Sequence, residues 1–275
     1  MLGINTNVPS LTAQKNLGAS SQSINTSIAR LSSGLRINSA RDDAAGLAIA
    51  TRMSSDIRGS EVAKRNTNDG ISALQIADGA LSTVTDNVQR MRELAVQAAT
   101  GTLTTDDRAN LNAEFTQLAD QIESVTTNTK FNGVDLLTAA AAGTPLSIQT
   151  GSASADKTNV TLVNGEAVST ALNALGFDLT TAANATSAIT TLDTQLTALN
   201  TGRATLGAGI NRLDAVVANL DTTVTNVSAA RGRIMDADFA KETANLTRTQ
   251  ILQQAGTAML AQANQLPNNV LSLLR

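Results

Sequence analysis

The side chains that most often carry enzyme chemistry are missing from this chain of 275 residues. It contains no histidine and no cysteine. This removes the commonest general base, the commonest transition-metal ligand and every thiolate nucleophile. A nucleophile–base pair built on either residue and a zinc-protease motif are therefore impossible. We predict a protein that is not an enzyme, with no catalytic residues and no cofactor.

Carboxylates are the remaining groups that suggest a metal site. Asp236, Asp238 and Glu242 lie close together in sequence, and carboxylate oxygens are the usual ligands of Ca²⁺ and Mg²⁺. No further oxygen ligands cluster around them. We therefore expect a solvated loop here and no metal site.

The longest regular pattern lies between Ile189 and Ile234, where apolar residues recur every three or four positions and only Arg203 and Arg231 interrupt. Such a repeat stays on one face only if the helix supercoils around a partner. We predict a helix about 70 Å long whose apolar stripe packs against other helices. The two arginines lie either in an interface or at the bundle edge with their charged ends in solvent.

A second long helix is predicted from about residue 42 to residue 99. Ser39 lies three residues before Asp42, as in a capping box, so the Asp42–Asp43 pair indicates helix-terminal electrostatics and not a catalytic pair. We expect the helix to loosen near Gly59 and Gly70. Its last part carries an unbroken apolar stripe: Leu74, Ala77, Leu81, Val84, Val88, Met91, Ala95 and Ala98.

A third helix should follow a break at Gly101, which we expect to act as a C-cap. Thr104 with Asp107 has the spacing of a helix N-cap. The apolar stripe of this helix comprises Leu111, Phe115, Leu118, Ile122 and Val125. The Asn132-Gly133 pair predicts a tight turn, and residues 138–188 predict small β-hairpins at the far tip of the helices.

The two chain ends are nearly free of acidic residues, since the first acid is Asp42 and the last is Glu242. Helices of this kind are marginal alone. They are either frayed tails or, as we favour, helices that become ordered against copies of the same chain. Their apolar positions are predicted to drive polymerisation: Leu17, Ile24, Ile28, Leu31, Leu35, Leu252, Ala255, Met259, Leu266, Val270 and Leu273.

Composition limits the remaining classes. The net charge is −3, which gives no electrostatic reason to expect nucleic acid, and no apolar run is long enough to span a membrane. The first residues lack the pattern of a cleaved signal peptide. Only 1% of residues are aromatic and only three are proline, as in long helical bundles.

These patterns predict a mainly α fold: a long antiparallel helical rod or coiled-coil bundle with a small β-hairpin element and amphipathic terminal helices. We expect residues 1–41 and 240–275 to form the terminal helices, residues 42–137 and 189–239 the bundle, and residues 138–188 the variable tip.

Motifs at both ends resemble one known family. Residues 30–47 (RLSSGLRINSARDDAAGL) are similar to the N-terminal signature of bacterial flagellin. Residues 250–256 (QILQQAG), 261–265 (AQANQ) and 270–275 (VLSLLR) resemble its C-terminus. The resemblance covers residues 1–140 and about 185–275.

The resemblance implies a secreted subunit that polymerises into the extracellular flagellar filament, with terminal helices forming the inner tube. It implies export without a cleaved signal peptide and a cytoplasmic chaperone bound to the C-terminal region. Filament cap and hook-junction proteins are the other implied bacterial partners. The short middle implies that large outer domains are missing.

Residues 89–97 (QRMRELAVQ), together with Glu114, are similar to the patch by which many flagellins engage toll-like receptor 5 of animal hosts. The resemblance implies a receptor-binding patch made of Gln89, Arg90, Glu93, Leu94, Gln97 and Glu114. The alternative is that this stretch only packs the bundle and solvates its surface.

Two other kinds of protein could share some of these features with a filament subunit. A hook–filament junction protein shares part of the terminal pattern. A secreted membrane-active translocator would use amphipathic ends, but these ends lack tryptophan and a strongly basic face. The full signature at residues 35–47 favours a flagellin.

Overall fold

The computed structural model describes residues 6–174 and 178–273, and the side chains of residues 266–273 are not described. The helices are α1 (Val8–Ser33), α2 (Ala44–Ala98), α3 (Thr105–Asn128), α4 (Ala139–Gly143), α5 (Glu166–Ala174), α6 (Ala182–Met235) and α7 (Phe239–Leu273). The strands are β1 (Lys130–Phe131), β2 (Val134–Asp135), β3 (Leu146–Gln149) and β4 (Lys157–Val160). The predicted mainly α fold with small antiparallel strand pairs is confirmed.

The chain divides into two compact units. We call residues 1–57 with 225–275 the terminal unit, and residues 58–224 the central unit. The first turns of α2 and the last turns of α6 thus belong with the terminal helices.

The core of the central unit follows the predicted helical repeats. All eight stripe residues of α2 from Leu74 to Ala98 are buried. On α6 the buried leucines recur at every seventh residue: Leu192, Leu199, Leu206, Leu213 and Leu220. On α3, Phe115 and Ile122 are buried and the rest of the stripe is partly buried against the same core. Leucine, alanine and valine therefore fill this core with almost no aromatic contribution.

Helix ends differ from prediction at two places. Asp43 caps α2 by accepting a hydrogen bond from the backbone N–H of Gly46 at 2.8 Å, while Asp42 binds back to Ser39 in the preceding loop. The predicted Ser39–Asp42 capping box is therefore wrong. Gly101 is not the C-cap of α2 either, since the helix ends at Ala98.

The guanidinium of Arg108 binds backbone carbonyls at the C-terminal end of α2. It donates to the carbonyls of Ala98 at 2.9 Å and Thr100 at 2.7 Å, which satisfies acceptors that the helix leaves open. The predicted start of α3 is confirmed as a full capping box between Thr104 and Asp107.

Two hairpins lie between α3 and α6. Asn132 and Gly133, with φ of 48° and 80°, form the predicted two-residue turn between β1 and β2. Strand β3 pairs antiparallel with β4, from Leu146 opposite Val160 to Gln149 opposite Lys157. The helices α4 and α5 in this segment were not predicted.

The β3–β4 hairpin lies beside α2 and α6, not beyond their ends as the sequence analysis expected. Ile148 lies against Gly70 of α2, and Val160 lies against Gly209 of α6. Helix α2 is continuous through Gly59 and Gly70, so the predicted loosening there is wrong.

In the terminal unit, α1 ends at Ser33, earlier than the predicted residue 41. Gly34 adopts φ 70° and donates its backbone N–H to the carbonyl of Arg30, which closes the helix in a left-handed cap. Residues 35–43 form the connection to α2.

Candidate assembly surface

Helices α1 and α7 pair within the terminal unit. At one end, the side-chain amide of Asn7 donates to the carbonyl of Ala263 at 2.8 Å, and the hydroxyl of Ser10 donates to the side-chain oxygen of Asn264 at 2.8 Å. These contacts bring together residues more than 250 positions apart in sequence. Polar groups therefore set the register of the pair.

Near the other end of the pair lies a buried carboxylate, Glu242, which is 8% exposed. It accepts a hydrogen bond from the Ser27 hydroxyl at 2.5 Å, and its second oxygen lies 3.8 Å from the Arg30 guanidinium. The expectation of a solvated loop is wrong for Glu242. No group of three His, Cys, Asp or Glu side chains able to hold a metal ion occurs within the described ranges.

The pair lacks a dry apolar core. Within residues 6–33 and 239–265, the buried residues are Ser10, Ser27, Glu242 and Ala263. None of these is a large apolar residue. Because burial of large apolar side chains supplies most folding free energy, the isolated pair has little to stabilise it.

The large apolar side chains of α1 and α7 are instead exposed. Twelve such exposed side chains occur in the described structure, and seven of them lie on these two helices: Val8, Leu11, Ile28, Phe239, Ile251, Leu252 and Met259. This concentration on one helix pair marks an interaction surface, because scattered exposed apolar residues would need no explanation.

An apolar groove of about 780 Å³ runs between the two helices. Four predicted polymerisation residues line it: Leu17, Leu252, Ala255 and Met259. Leu252 is 52% exposed and Met259 is 64% exposed. The groove therefore brings the N-terminal and C-terminal stripes together on a single surface.

The other predicted polymerisation residues have mixed positions. Ile24, Leu31 and Leu35 are half-buried, and Ile28 is exposed. Leu266, Val270 and Leu273 lie outside the described side chains. Phe239, an exposed aromatic residue at the start of α7, was not predicted as part of this surface. It is one of only four phenylalanines in the chain, and this rarity was the only sign of it in the sequence.

A short backbone bridge joins the α1–α2 connection to the α6–α7 connection. Leu35 and Asp236 form an isolated antiparallel bridge, and the Arg36 guanidinium beside it donates to the carbonyl of Ile234 at 2.6 Å. Asp238 accepts from the backbone N–H of Lys241 at the start of α7. Asp236 and Asp238 thus serve the backbone connection, which sequence spacing alone did not indicate.

The predicted receptor patch lies in the central unit, on α2 and α3. The Arg90 guanidinium lies 2.9 Å from a Glu93 carboxylate oxygen and 2.8 Å from a Glu114 oxygen, and these partners raise its pKa above the usual arginine value. Gln89 and Gln97 are also exposed. Leu94 is 1% exposed and belongs to the core, so a partner would meet only the polar members.

The two arginines that interrupt the α6 stripe both bond to α2. Arg203 donates to Asp78 at 2.9 Å, which raises the Arg203 pKa above its usual value. Arg231 donates to the Ser54 hydroxyl at 3.3 Å. They are therefore contacts between helices of one chain.

Comparison with known proteins decides the family. The profile of the bacterial flagellin N-terminal helical region matches residues 4–142, and that of the C-terminal helical region matches residues 189–274. A flagellin of Halalkalibacterium halodurans is 47% identical over 272 residues, covering 99% of both chains. The chain belongs to the flagellin family.

Solved structures share the fold of this chain. The crystal structure of Bacillus cereus flagellin is similar with a TM-score of 0.51 and 35% identity, covering 61% of this chain and 94% of that one. A putative flagellar hook-associated protein from Vibrio parahaemolyticus shares the fold at a TM-score of 0.60 and 16% identity, covering 71% of this chain and 100% of that one.

As a flagellin, the chain is a structural subunit that self-polymerises into the extracellular filament of the bacterial flagellum, and it is not an enzyme. None of the helices in the described part combines the length and apolarity required to cross a bilayer.

Proposed function

We propose that copies of this flagellin polymerise through the α1–α7 pair, which forms the inner tube of the filament. The supporting observation is that the pair buries no large apolar side chain among its described residues but exposes seven of them. A second copy buries these side chains and supplies the stabilisation that the isolated pair lacks.

Leu252→Asp tests this proposal because Leu252 lies in the groove and is 52% exposed, so the monomer tolerates the change. Losing one buried leucine contact costs about 1.5–3 kcal/mol, and burying a charge costs more. The critical concentration for polymerisation should therefore rise by about tenfold or more, measured by sedimentation and negative-stain microscopy.

Val134→Asp is the matched control, since Val134 is also 52% exposed but belongs to the central unit. It should leave the critical concentration nearly unchanged. Equal effects of the two variants would remove the α1–α7 surface from the proposal, as would normal filaments from Leu252→Asp.

We propose, as a second role, that the exposed cluster around Arg90 is recognised by toll-like receptor 5 of animal hosts. In support, Arg90 is bound on two sides by Glu93 and Glu114, so the cluster presents a fixed arrangement of charge across α2 and α3. Gln89 and Gln97 extend the same exposed stretch of α2.

A receptor reporter assay with soluble monomer tests this role. The Arg90→Ala, Glu114→Ala double variant should activate the reporter less than the parent chain. The control is Lys64→Ala, Asp221→Ala, which removes another exposed ion pair of the central unit, 2.6 Å long, outside residues 89–97. Equal activation by the parent and the first variant would rule out this cluster.

We also propose that the export chaperone covers α7 before assembly, because Ile251, Leu252 and Met259 are exposed there. Filament cap and hook-junction proteins would meet the same helix pair at the filament ends. The cognate chaperone should protect α7 amides from hydrogen exchange and delay polymerisation. Unchanged α7 exchange in the complex would contradict the assignment.

A further inference from the structure

Four helical glycines of the central unit lie directly under the segment from β3 to the start of α5. Gly59 and Gly70 of α2 lie against Ser152 and Ile148, and Gly202 and Gly209 of α6 lie against Val163 and Val160. Glycine lowers helix stability relative to alanine, so its use inside two long helices calls for a reason.

The spacing within each pair fits one helix face. Eleven residues separate Gly59 from Gly70, close to three turns, and seven separate Gly202 from Gly209, close to two turns. Each pair therefore forms a shallow track on one side of its helix.

A methyl group on either track would collide with the segment above it. On Gly202 it would lie 2.6 Å from Val163 Cγ1 and 2.9 Å from Val163 Cγ2, and on Gly209 it would lie 2.9 Å from Val160 Cγ1. Valine has little rotamer freedom, so it could clear the methyl group only by moving its backbone.

At two other helical glycines of the central unit, an added methyl group would meet no neighbouring atom. Gly79 on α2 and Gly207 on α6 have no atom within 4 Å of the place where a methyl group would lie. Both are helical, so they experience the same backbone preference without the contact.

We propose that residues 146–163 form a third wall of the central unit, seated on these four glycines, that holds α2 and α6 in a fixed register. Ile148, Val160 and Leu162 are buried in the same core as Leu74 and Leu206. Residues 146–163 therefore cover the core beside α2 and α6 with two strands where a bundle would use another helix. The middle of the chain is thus a structural part of the bundle.

Gly202→Ala against Gly207→Ala tests the proposal in the full chain. Gly202→Ala should lower the melting temperature and reduce hydrogen-exchange protection of the β3 and β4 amides. Gly207→Ala should raise the melting temperature by about 2 °C and leave the strands protected. Equal shifts in the two variants, with unchanged strand protection, would overturn the proposal.

The double variant Gly202→Ala, Val163→Ala covers the case in which Gly202→Ala fails to fold. Removing the valine methyl groups makes room for the new one, so the double variant should recover folding and strand protection relative to Gly202→Ala. If the two substitutions simply add their losses, Gly202 is not a seat for Val163. None of these outcomes depends on polymerisation, so they are separate from the proposed function.

Discussion

Glu242 shows how one residue can be misjudged from its neighbours in sequence. Beside Asp236 and Asp238 it resembles part of a solvated acidic loop, yet it is buried against Ser27 and Arg30. Those partners lie more than 200 residues away, and no local pattern reports them. The aspartate caps, in contrast, depend on spacing within a few residues, and one of the two predicted capping boxes is confirmed.

Replacing Glu242 by alanine should weaken the α1–α7 pair. The change leaves the Ser27 hydroxyl and the Arg30 guanidinium without a partner, at a cost of about 1–3 kcal/mol. Faster hydrogen exchange of α1 and α7 amides measures this loss. Glu242→Gln keeps an acceptor for Ser27 and should lose less. Equal exchange in both variants would show that the bond to Ser27 contributes nothing.

The Asp107 carboxylate should make the stability of the folded chain depend on pH. The Thr104 hydroxyl and backbone N–H donate to its carboxylate and lower its pKa below the usual 3.8. The folded state therefore favours the ionised form, so the stabilisation is present above pH 3.8 and is lost as the pH falls through the lowered value.

Asp107→Asn should accordingly flatten the fall in melting temperature at acid pH, measured by circular dichroism between about pH 2 and pH 6. Asp106→Asn is the control, because it removes a neighbouring charge and keeps the capping box. A parent-like acid limb in Asp107→Asn would contradict the assignment.

At the scale of elements, periodicity predicted helices well and predicted their ends less well. The α2 and α6 stripes repeat over many turns, so single exceptions such as Arg203 do not hide them. The end of α1 depends on one glycine, and the place of the β3–β4 hairpin depends on contacts with distant helices. Helix α5 is short, and its local pattern carried too little signal.

Substitution of Gly34 tests the left-handed cap that ends α1. Its φ of 70° is a conformation that costs other residues about 1–2 kcal/mol, so Gly34→Ala should destabilise the end of α1. Gly18 lies inside α1 with open space around it, and Gly18→Ala should stabilise the helix. Thermal unfolding followed by helical circular dichroism compares the two. Stabilisation by both substitutions would show that the left-handed conformation of Gly34 is not needed to cap α1.

At the scale of the whole molecule, the core cluster of the central unit runs from Ile71 to Leu213 and includes none of the described side chains of the terminal helices. Deleting residues 1–35 or 245–275 should therefore leave this core folded while abolishing polymerisation. Circular dichroism and negative-stain microscopy after salt-induced assembly measure the two effects. Filaments from either truncated chain would contradict the assembly role of the terminal helices.

The family was predictable from the sequence because its motifs lie in continuous runs at both ends. The groove between α1 and α7 was not, since it requires knowing which faces of two helices separated by some 200 residues meet. Charge and hydropathy indicated that the ends need a partner. They did not indicate which side chains stay outside.

The hydroxyl and amide contacts across α1 and α7 have a practical consequence for the protein in solution. Water replaces such bonds at small cost, so a lone subunit should open there often and be trimmed by proteases from both termini. Digestion should stop once the leucine-rich centre is reached. Subunits already built into a filament should keep their full length under the same treatment. The pattern of cleavage products therefore distinguishes free subunits from polymerised ones.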